Sequence, residues 1–215
     1  MKRPLKNQKP LTEFATLFTE APVENFSRNA RLGGAFHNDE VLVEGFRRAG
    51  DVLVEHALED QGSINFLACP ALFNYRQFVE LKLKALIAES ERCYDLAQQA
   101  GAQLDALQAP VAAKLTHEHS IKRLVEYLKE RVCLVLAREL DSETEKLLME
   151  LDLVDPTSQA FRYVTDPKGA PLLAQEALTD LSNVRLKMRD VAGDLEQLES
   201  DFAFDRELSE MTASG

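Results

Sequence analysis

The chain has 215 residues, of which 45% are apolar and 28% are charged, and these proportions are typical of a globular protein that can bury a substantial core. The net charge of −11 and the pI near 4.9 disfavour a broad nucleic-acid footprint, because phosphate binding depends on clustered Lys and Arg. No apolar run approaches the ~20 residues needed to span a bilayer, and the basic N-terminus leads into no apolar segment, so we expect a cytoplasmic protein without membrane contact.

The composition predicts an all-α fold built as a helical bundle. There is no Trp, Gly and Pro are few, and the long runs of Leu, Ala, Glu and Lys lack the alternation of strands. Cys69, Cys93 and Cys133 are odd in number and far apart, which favours reduced thiols over disulfides. His117 and His119 alternate like a metal pair, but no Cys or further His lies close in sequence. We therefore predict no metal and no cofactor.

Residues 1–38 are predicted to form an N-terminal arm and loop. The first ten are polar and basic and contain two prolines, which favours a frayed arm. Thr12 is a candidate cap for a short helix over residues 13–19, and Pro22 follows that helix. Residues 23–37 contain Gly33 and Gly34 and show no clear period, so we predict a loop.

Residues 39–208 are predicted to form the bundle, and residues 209–215 a disordered tail. The first long helix begins at Asn38 or Asp39 and ends at Glu59 or Asp60, and its glycines, Gly45 and Gly50, allow close approach or a mild kink. Its predicted inner face consists of Val41, Leu42, Phe46, Val52, Leu53, His56 and Ala57.

Residues 71–88, ALFNYRQFVELKLKALIA, are predicted to lie in the central helix of the bundle. Apolar residues at helical spacing cover well over half of the circumference, which is typical of a helix with neighbours on several sides. Pro70 fits the first turn of this helix, and Gly101 is a suitable C-cap residue.

One polar row follows the surface of this central helix. Arg76, Glu80 and Lys84 occupy successive i,i+4 positions, where side chains become neighbours. The row is either a structural ion-pair ladder or the lining of a cleft that binds a nucleotide or an RNA phosphate.

Two further helices and a loop are predicted next. A helical piece covers residues 102–107, and a helix at 118–140 carries an apolar stripe. Ser142 with Glu145 resembles a capping box that opens an acidic helix to about Val154. Turn-forming residues predict a loop at 155–171, where Phe161 and Tyr163 flank Arg162.

The final helix is predicted at residues 174–208, and its apolar residues follow a heptad seam. The seam consists of Leu181, Val184, Met188, Val191, Leu195, Leu198 and Phe202. It either packs on the central helix of its own chain or joins two antiparallel copies through Met188, Val191, Leu195 and Leu198. In the second case Arg185 and Lys187 of one copy would oppose Glu199 and Asp201 of the other.

Four ordered segments resemble uncharacterised prokaryotic helical proteins of the HEPN-like type: GFRRAGDVLVEHALE, LFNYRQFVELKLKALI, LTHEHSIKRLVEYL and DPTSQAFRYVTDPKG. The resemblance covers roughly residues 39–205. It implies a helical bundle that commonly dimerises or binds a partner protein, with relatives in RNA cleavage, toxin–antitoxin pairs and phage defence. Nuclease members carry an Arg followed by a His after four to six residues on a late helix. Here the only such pair is Arg31 and His37, in the Gly-containing loop.

The resemblance therefore implies a non-catalytic interaction or regulatory protein, in a phage-defence or toxin–antitoxin setting. The alternative is a HEPN-type ribonuclease with an atypical active site around Arg76, Glu80, His119 and Arg162; RNA is disfavoured as a ligand by the net charge.

The family motifs also assign residues to the polar row. His119 matches the histidine at a helix start, where it is either a general base or the donor of a hydrogen bond to the aromatic loop. Asp155 and Arg162 match the loop motif. We predict that this loop folds back, that Arg162 pairs with Glu80, and that Phe161 and Tyr163 plug the bundle. The predicted polar cluster is Arg76, Glu80, Lys84, His119, Asp155, Arg162 and Tyr163.

Overall fold

A computed structural model describes residues 23–28, 30–31, 38–60, 62–105, 111, 114–173 and 175–213. Contacts divide the chain into two units, Met1–Asn38 and Asp39–Gly215. In the first unit, Val23–Arg28 forms a 3-10 helix with a kink at Asn25, where a loop was predicted. The expected helix at 13–19 lies outside the described residues, and so does His37 of the Arg31 pair.

The second unit confirms the predicted all-α fold class. Within the part of the chain that is described, its α-helices are α1 (Asp39–Glu59), α2 (Ile64–Gln99), α3 (Ile121–Leu136), α4 (Ser142–Val154) and α5 (Leu181–Ala213). A short 3-10 turn, Leu115–His117, precedes α3. None of the helices in the described ranges is long and apolar enough to cross a lipid bilayer.

Helix α2 is the centre of the bundle, and its neighbours run in both directions. The short turn after α1 brings that helix back antiparallel to α2, and Asp51 accepts a hydrogen bond from the Tyr75 hydroxyl at 2.8 Å. Helix α5 runs parallel to α2. Lys82 pairs with Glu199, and seven residues farther along both helices Glu89 pairs with Arg206. The buried apolar residues of α1 to α5 form one core around α2.

Helices α3 and α4 form the remaining side of the bundle. Helix α3 is parallel to α2. The segment just before α3 contacts Arg76 of α2, and Arg131, farther along α3, contacts Glu91, farther along α2. Helix α4 is antiparallel to α3, and Lys129 pairs with Glu145 between them at 2.6 Å. Helix α4 therefore ends beside the start of α3.

The bounds of α1 agree with the prediction, but part of its inner face was wrong. Val41, Val52 and His56 are exposed. The buried residues of α1 are Val43, Gly50, Val54 and Ala57.

Gly50 of α1 lies against the ring of Tyr75 on α2. A Cβ atom at this position would lie 2.7 Å from Cε1 of Tyr75, whereas a Cβ at Gly45 would meet nothing within 4 Å. Of the two predicted glycines, only Gly50 is required for close approach.

Several predicted helix bounds need correction. Helix α2 begins at Ile64, so Pro70 lies inside the helix and not in its first turn. Helix α3 is shorter than predicted, because Ala137 adopts a left-handed conformation (φ 50°) that ends it. Residues 102–105 are not helical, and residues 106–107 of the same predicted piece are not described.

The starts of the last two helices also differ from the prediction. Asp141, not Ser142, caps α4 and accepts from the Thr144 N–H at 2.9 Å. Helix α5 starts at Leu181, about one heptad later than predicted, where Asp180 accepts from the Ser182 N–H at 2.9 Å. Helix α5 then continues to Ala213, so the predicted disordered tail is wrong as far as that residue.

The heptad seam of α5 packs inside its own chain, which is the first of the two alternatives. Its buried members are Leu181, Met188, Val191, Leu195, Leu198 and Phe202. The charges predicted to pair between copies lie near charges of the same chain: Arg185 with Asp51 and Glu55, Lys187 with Asp190, Glu199 with Lys82, and Asp201 with Arg138. The seam residues are therefore not exposed to a second copy, and the oligomeric state stays a prediction.

Candidate functional site

The Arg76 guanidinium lies at the centre of a buried polar cluster and is fully excluded from solvent. It donates to Glu80 Oε2 at 2.7 Å, to the carbonyl of His119 at 2.5 Å and to the carbonyl of Asp155 at 3.1 Å. Asp155 Oδ2 lies 3.3 Å from Nε and completes an ion pair. Arg76 thus ties α2 to the segment before α3 and to the end of α4.

Glu80 is the shared acceptor of the cluster. Besides Arg76, it accepts from Lys84 Nζ at 2.7 Å and from His119 Nδ1 at 2.9 Å, both on Oε1. Burial raises the pKa of this carboxyl, but the hydrogen bonds from Lys84, His119 and Arg76 together outweigh burial and lower it. Glu80 is therefore ionised at neutral pH.

The loop after α4 is fixed against α2 by Asp155. Its Oδ1 accepts from the N–H groups of Gln159 at 2.7 Å and Ala160 at 3.0 Å, which closes the turn. Gln77 of α2 donates to the Ser158 hydroxyl at 2.8 Å. The predicted folding back of the loop thus occurs, and Asp155 is the residue that joins it to Arg76.

The predicted pairing of Arg162 with Glu80 is wrong. Arg162 donates to the carbonyl of Ser158, and its guanidinium lies over the rings of Phe73 (5.5 Å) and Tyr163 (5.4 Å). The Ser158 and Tyr163 contacts are within the loop and the Phe73 contact is with α2, while His119 takes the expected place of Arg162 beside Glu80.

The two loop aromatics do not act together as a plug. Phe161 is buried, but Tyr163 is largely exposed. Side chains in a tight turn point in different directions, so aromatics two residues apart need not share one side of the loop.

His119 is the member of the cluster that reaches the surface, with 55% of its side chain exposed. An ionised carboxylate can only accept hydrogen bonds, so Nδ1 carries the proton and Nε2 is the basic nitrogen of a neutral ring. Within the described part of the chain, Nε2 has no hydrogen-bond partner. The predicted hydrogen bond from His119 to the aromatic loop is replaced by bonds to Glu80 and Arg76.

A second buried arginine cluster was missed by the sequence analysis. Arg131 on α3 is fully buried and donates to Glu91 Oε1 at 2.6 Å and to the carbonyl of Tyr127 at 3.0 Å. The same Glu91 oxygen accepts the Val111 N–H at 2.8 Å. The signal was present, because Arg131 follows Leu128 by three residues on the apolar stripe of α3.

The carboxylate of Asp152, also missed, closes the start of α3. Asp152 Oδ1 accepts from the Lys122 N–H at 2.9 Å and from the Ser120 hydroxyl at 3.2 Å. Ser120 is the N-cap and accepts from the Arg123 N–H at 3.3 Å. Helix α4 therefore holds the first turn of α3, which follows His119 closely in the chain.

A cavity of about 470 Å³ opens at the end of α4, on the loop that Asp155 fixes. It is lined by Leu153, Val154, Asp155, Pro156, Thr157, Gln159, Ala160, Asp166, Pro167 and Leu172. Among the described residues, no group of three or more His, Cys, Asp or Glu side chains is arranged to hold a metal ion.

The fold and the site define the class of this protein as an all-α helical bundle with a buried, internally paired polar cluster. Comparison of the chain with family models, with curated proteins and with solved structures gives no match.

Proposed function

We propose that this protein is a non-catalytic, HEPN-like interaction or regulatory protein that works in a phage-defence or toxin–antitoxin setting. The observation that carries the interaction part of the proposal is an apolar stripe at the end of α5. Phe204, Leu208 and Met211 are 69%, 54% and 75% exposed and follow an i, i+4, i+7 spacing. This spacing aligns the three side chains on one face of the helix.

The orientation of the stripe is fixed by the opposite face of α5. Phe202 is buried in the core, and Arg206 donates to Glu89 of α2 at 2.5 Å. Helix α5 therefore cannot turn the stripe inward without losing these contacts. Single exposed apolar residues are ordinary, but three on one helix face match the anchor pattern of a helix that lies in a partner's groove.

The surroundings of the stripe define the chemistry of the partner. Asp205 and Glu207 lie on the same turns of α5, where Asp201 pairs with Arg138 and Arg206 lies between Glu89 and Glu210. An apolar groove with a basic rim would complement this surface. A second copy would bring the same acidic residues together, which favours a different protein as the partner.

The polar cluster supports the non-catalytic part of the proposal. Arg76 and Glu80 are buried, and their hydrogen bonds go to one another and to neighbouring groups. Arg162 is held by the Ser158 carbonyl. The Arg76 guanidinium is fully buried and so cannot reach a phosphate, and the net charge of −11 opposes RNA binding further.

The experiment compares wild-type bait with a triple variant, Phe204→Ser, Leu208→Ser and Met211→Ser, in cells of the source organism. A partner captured by the wild type is then purified, and its affinity for both forms is measured by sedimentation. We expect the triple variant to bind more than about 100-fold less tightly, because each buried apolar side chain contributes about 1.5–3 kcal/mol. Serine at the exposed Val52 of α1 is the matched control and should bind like the wild type.

Equal binding by the wild type and the triple variant would contradict the proposed surface. An RNA-cleavage assay with the same preparations separates the alternative function. We expect no cleavage; cleavage that is present in the wild type and lost in His119→Ala would favour the atypical ribonuclease.

A further inference from the structure

We propose that His119 is a phosphoryl-acceptor site, whose Nε2 atom takes a phosphoryl group from an acyl phosphate or a phosphoramidate. This covalent site lies outside the proposed docking surface on α5 and would give the protein a means of regulation. In the Glu80–His119 pair, a buried carboxylate holds an exposed imidazole by its Nδ1 atom at 2.9 Å.

The pair makes Nε2 the reactive nitrogen. With Nδ1–H bonded to the Glu80 carboxylate, the lone pair of the neutral ring is on Nε2. A carboxylate behind an imidazole fixes the tautomer and stabilises the positive charge that the ring acquires when Nε2 forms a bond. More than half of the side chain is exposed while Nδ1 faces Glu80, so the exposed part of the ring is open to a small phosphoryl donor.

The backbone of His119 is held as firmly as its ring. Its carbonyl accepts from Arg76 at 2.5 Å, and its N–H donates to Glu118 Oε1 at 3.0 Å. Ser120, the next residue, is the N-cap of α3. The imidazole is thus fixed before any donor arrives, which reduces the entropic cost of reaching the reactive geometry.

The charges around His119 suit a phosphoryl group. Lys84 Nζ binds the same Glu80 oxygen as the ring, at 2.7 Å. The first turn of α3 holds Lys122 and Arg123, both exposed, and no acidic residue, although helix N-termini ordinarily favour acidic side chains. Two carboxylates oppose these cations: Glu118 lies 3.4 Å from Arg123 and accepts the His119 N–H, and Asp152 accepts the Lys122 N–H.

The transfer step is a simple displacement. The Nε2 lone pair attacks phosphorus, an N–P bond forms, and the bond to the leaving group breaks with its electron pair. The leaving group is a carboxylate from an acyl phosphate, or ammonia from a zwitterionic phosphoramidate. The ring becomes cationic, and its Nδ1 proton remains in the hydrogen bond to Glu80. The product carries negative charge at the surface, at the start of α3.

The chain offers internal references for this reaction. His56 and His117 are exposed, and neither ring has a carboxylate partner among the described residues. They should react with a phosphoryl donor as ordinary surface histidines do.

The experiment treats the full chain with potassium phosphoramidate and follows labelling by ³¹P NMR and by peptide mass spectrometry under alkaline conditions. We expect His119 to be labelled at least about tenfold faster than His56 or His117, because its ring is oriented and its positive charge is stabilised by Glu80. The product at His119 should be the Nε2 isomer alone, and Glu80→Gln should lower the rate at His119 but not at the two references.

Labelling of His119 at the rate of the references would overturn the proposal, and so would a mixture of Nδ1 and Nε2 isomers at this residue. Wild-type kinetics in Glu80→Gln would also overturn it. The comparison among three histidines of the wild-type chain remains decisive if that variant fails to fold.

Discussion

Removal of the Glu80 carboxylate tests whether the buried polar cluster stabilises the fold. Glu80→Ala takes away the acceptor of three donors, from Arg76, Lys84 and His119. Removal of one partner from a buried ion pair typically destabilises a protein by about 3–5 kcal/mol. Arg76 keeps its contacts with Asp155 and with the His119 carbonyl, so we expect the lower end of this range, about 3 kcal/mol.

Loss of the Lys84 ammonium group should destabilise the protein less than loss of the Glu80 carboxylate. In Lys84→Ala the Glu80 carboxylate retains Arg76 and His119 as donors. The Lys84 side chain is itself 16% exposed, so part of its charge is already hydrated. We expect a loss of about 1 kcal/mol, the usual contribution of one partly exposed hydrogen bond.

Glu44 provides a matched surface control. Its carboxylate also pairs with two cations, Arg47 and Arg48, but its side chain is 37% exposed, compared with 4% for Glu80. Exposed pairs contribute about 0–1 kcal/mol, so Glu44→Ala should have a small effect. Urea unfolding at pH 7, followed by circular dichroism, measures the free energy of unfolding of each variant. If the free energies of unfolding of Glu80→Ala and Glu44→Ala lie within about 1 kcal/mol of each other, the buried cluster does not stabilise the fold as argued.

The same carboxylate predicts a dependence on pH. The folded-state pKa of Glu80 lies below its ordinary value of 4.5, so its ionised form stabilises the folded state. This contribution is fully present above pH 4.5 and is lost as the pH falls through the lowered pKa. The difference in unfolding free energy between the wild type and Glu80→Gln should therefore shrink in acid, and a difference that grows there would contradict this assignment.

Three further predictions concern other parts of the bundle. Gly50→Ala should destabilise the protein by about 1–3 kcal/mol through overpacking, whereas Gly45→Ala should stabilise it by up to about 1 kcal/mol through helix propensity; urea unfolding of the two variants checks the opposite signs. Burial raises the pKa of the Cys93 thiol to about 12, so a thiol reagent at pH 8 should modify the exposed Cys133 and leave Cys93 unreacted until the protein unfolds. Burial also raises the pKa of Asp205, so its ionised form destabilises the folded state; Asp205→Asn should raise the melting temperature at pH 7, and this gain should disappear below pH 3.8, where the carboxyl is protonated in both states.

Much of the fold follows from periodicity and composition. The sequence predicted the all-α class and both ends of α1 within one residue, because a long amphipathic pattern is visible without its partners. The bounds of α5 were less accessible. Residues 174–180 have good helix propensity, but the helix begins only at Leu181, because the Asp180 side chain accepts the Ser182 N–H and so acts as the N-cap. Local propensity cannot rank two competing starts of this kind.

The site was predictable only in part, for a similar reason. The i,i+4 spacing brought Arg76, Glu80 and Lys84 together, since neighbours on one helix are determined by sequence. The partner of Glu80 from another segment was not determined in this way, and His119 lies where Arg162 was expected. Arg162 forms a local contact with the loop carbonyl of Ser158, which costs less ordering than a contact across the bundle.

The two buried arginine clusters connect α2 to α3 and the segment before it at two well-separated positions. Arg76 and Glu91 are fifteen residues apart on α2, roughly 22 Å along the helix. Arg76 contacts His119, just before α3, and Glu91 contacts Arg131 in the C-terminal half of α3. Apolar stripes alone would tolerate a shift of α3 by one turn along α2, whereas such a shift would break both polar contacts at once. Buried ion pairs add little net stability over apolar packing, so we infer that these two clusters fix the register of α3 on α2. The same register places His119 at the end of the Arg76–Glu80 cluster, where its ring is held from inside the protein and exposed on the outside.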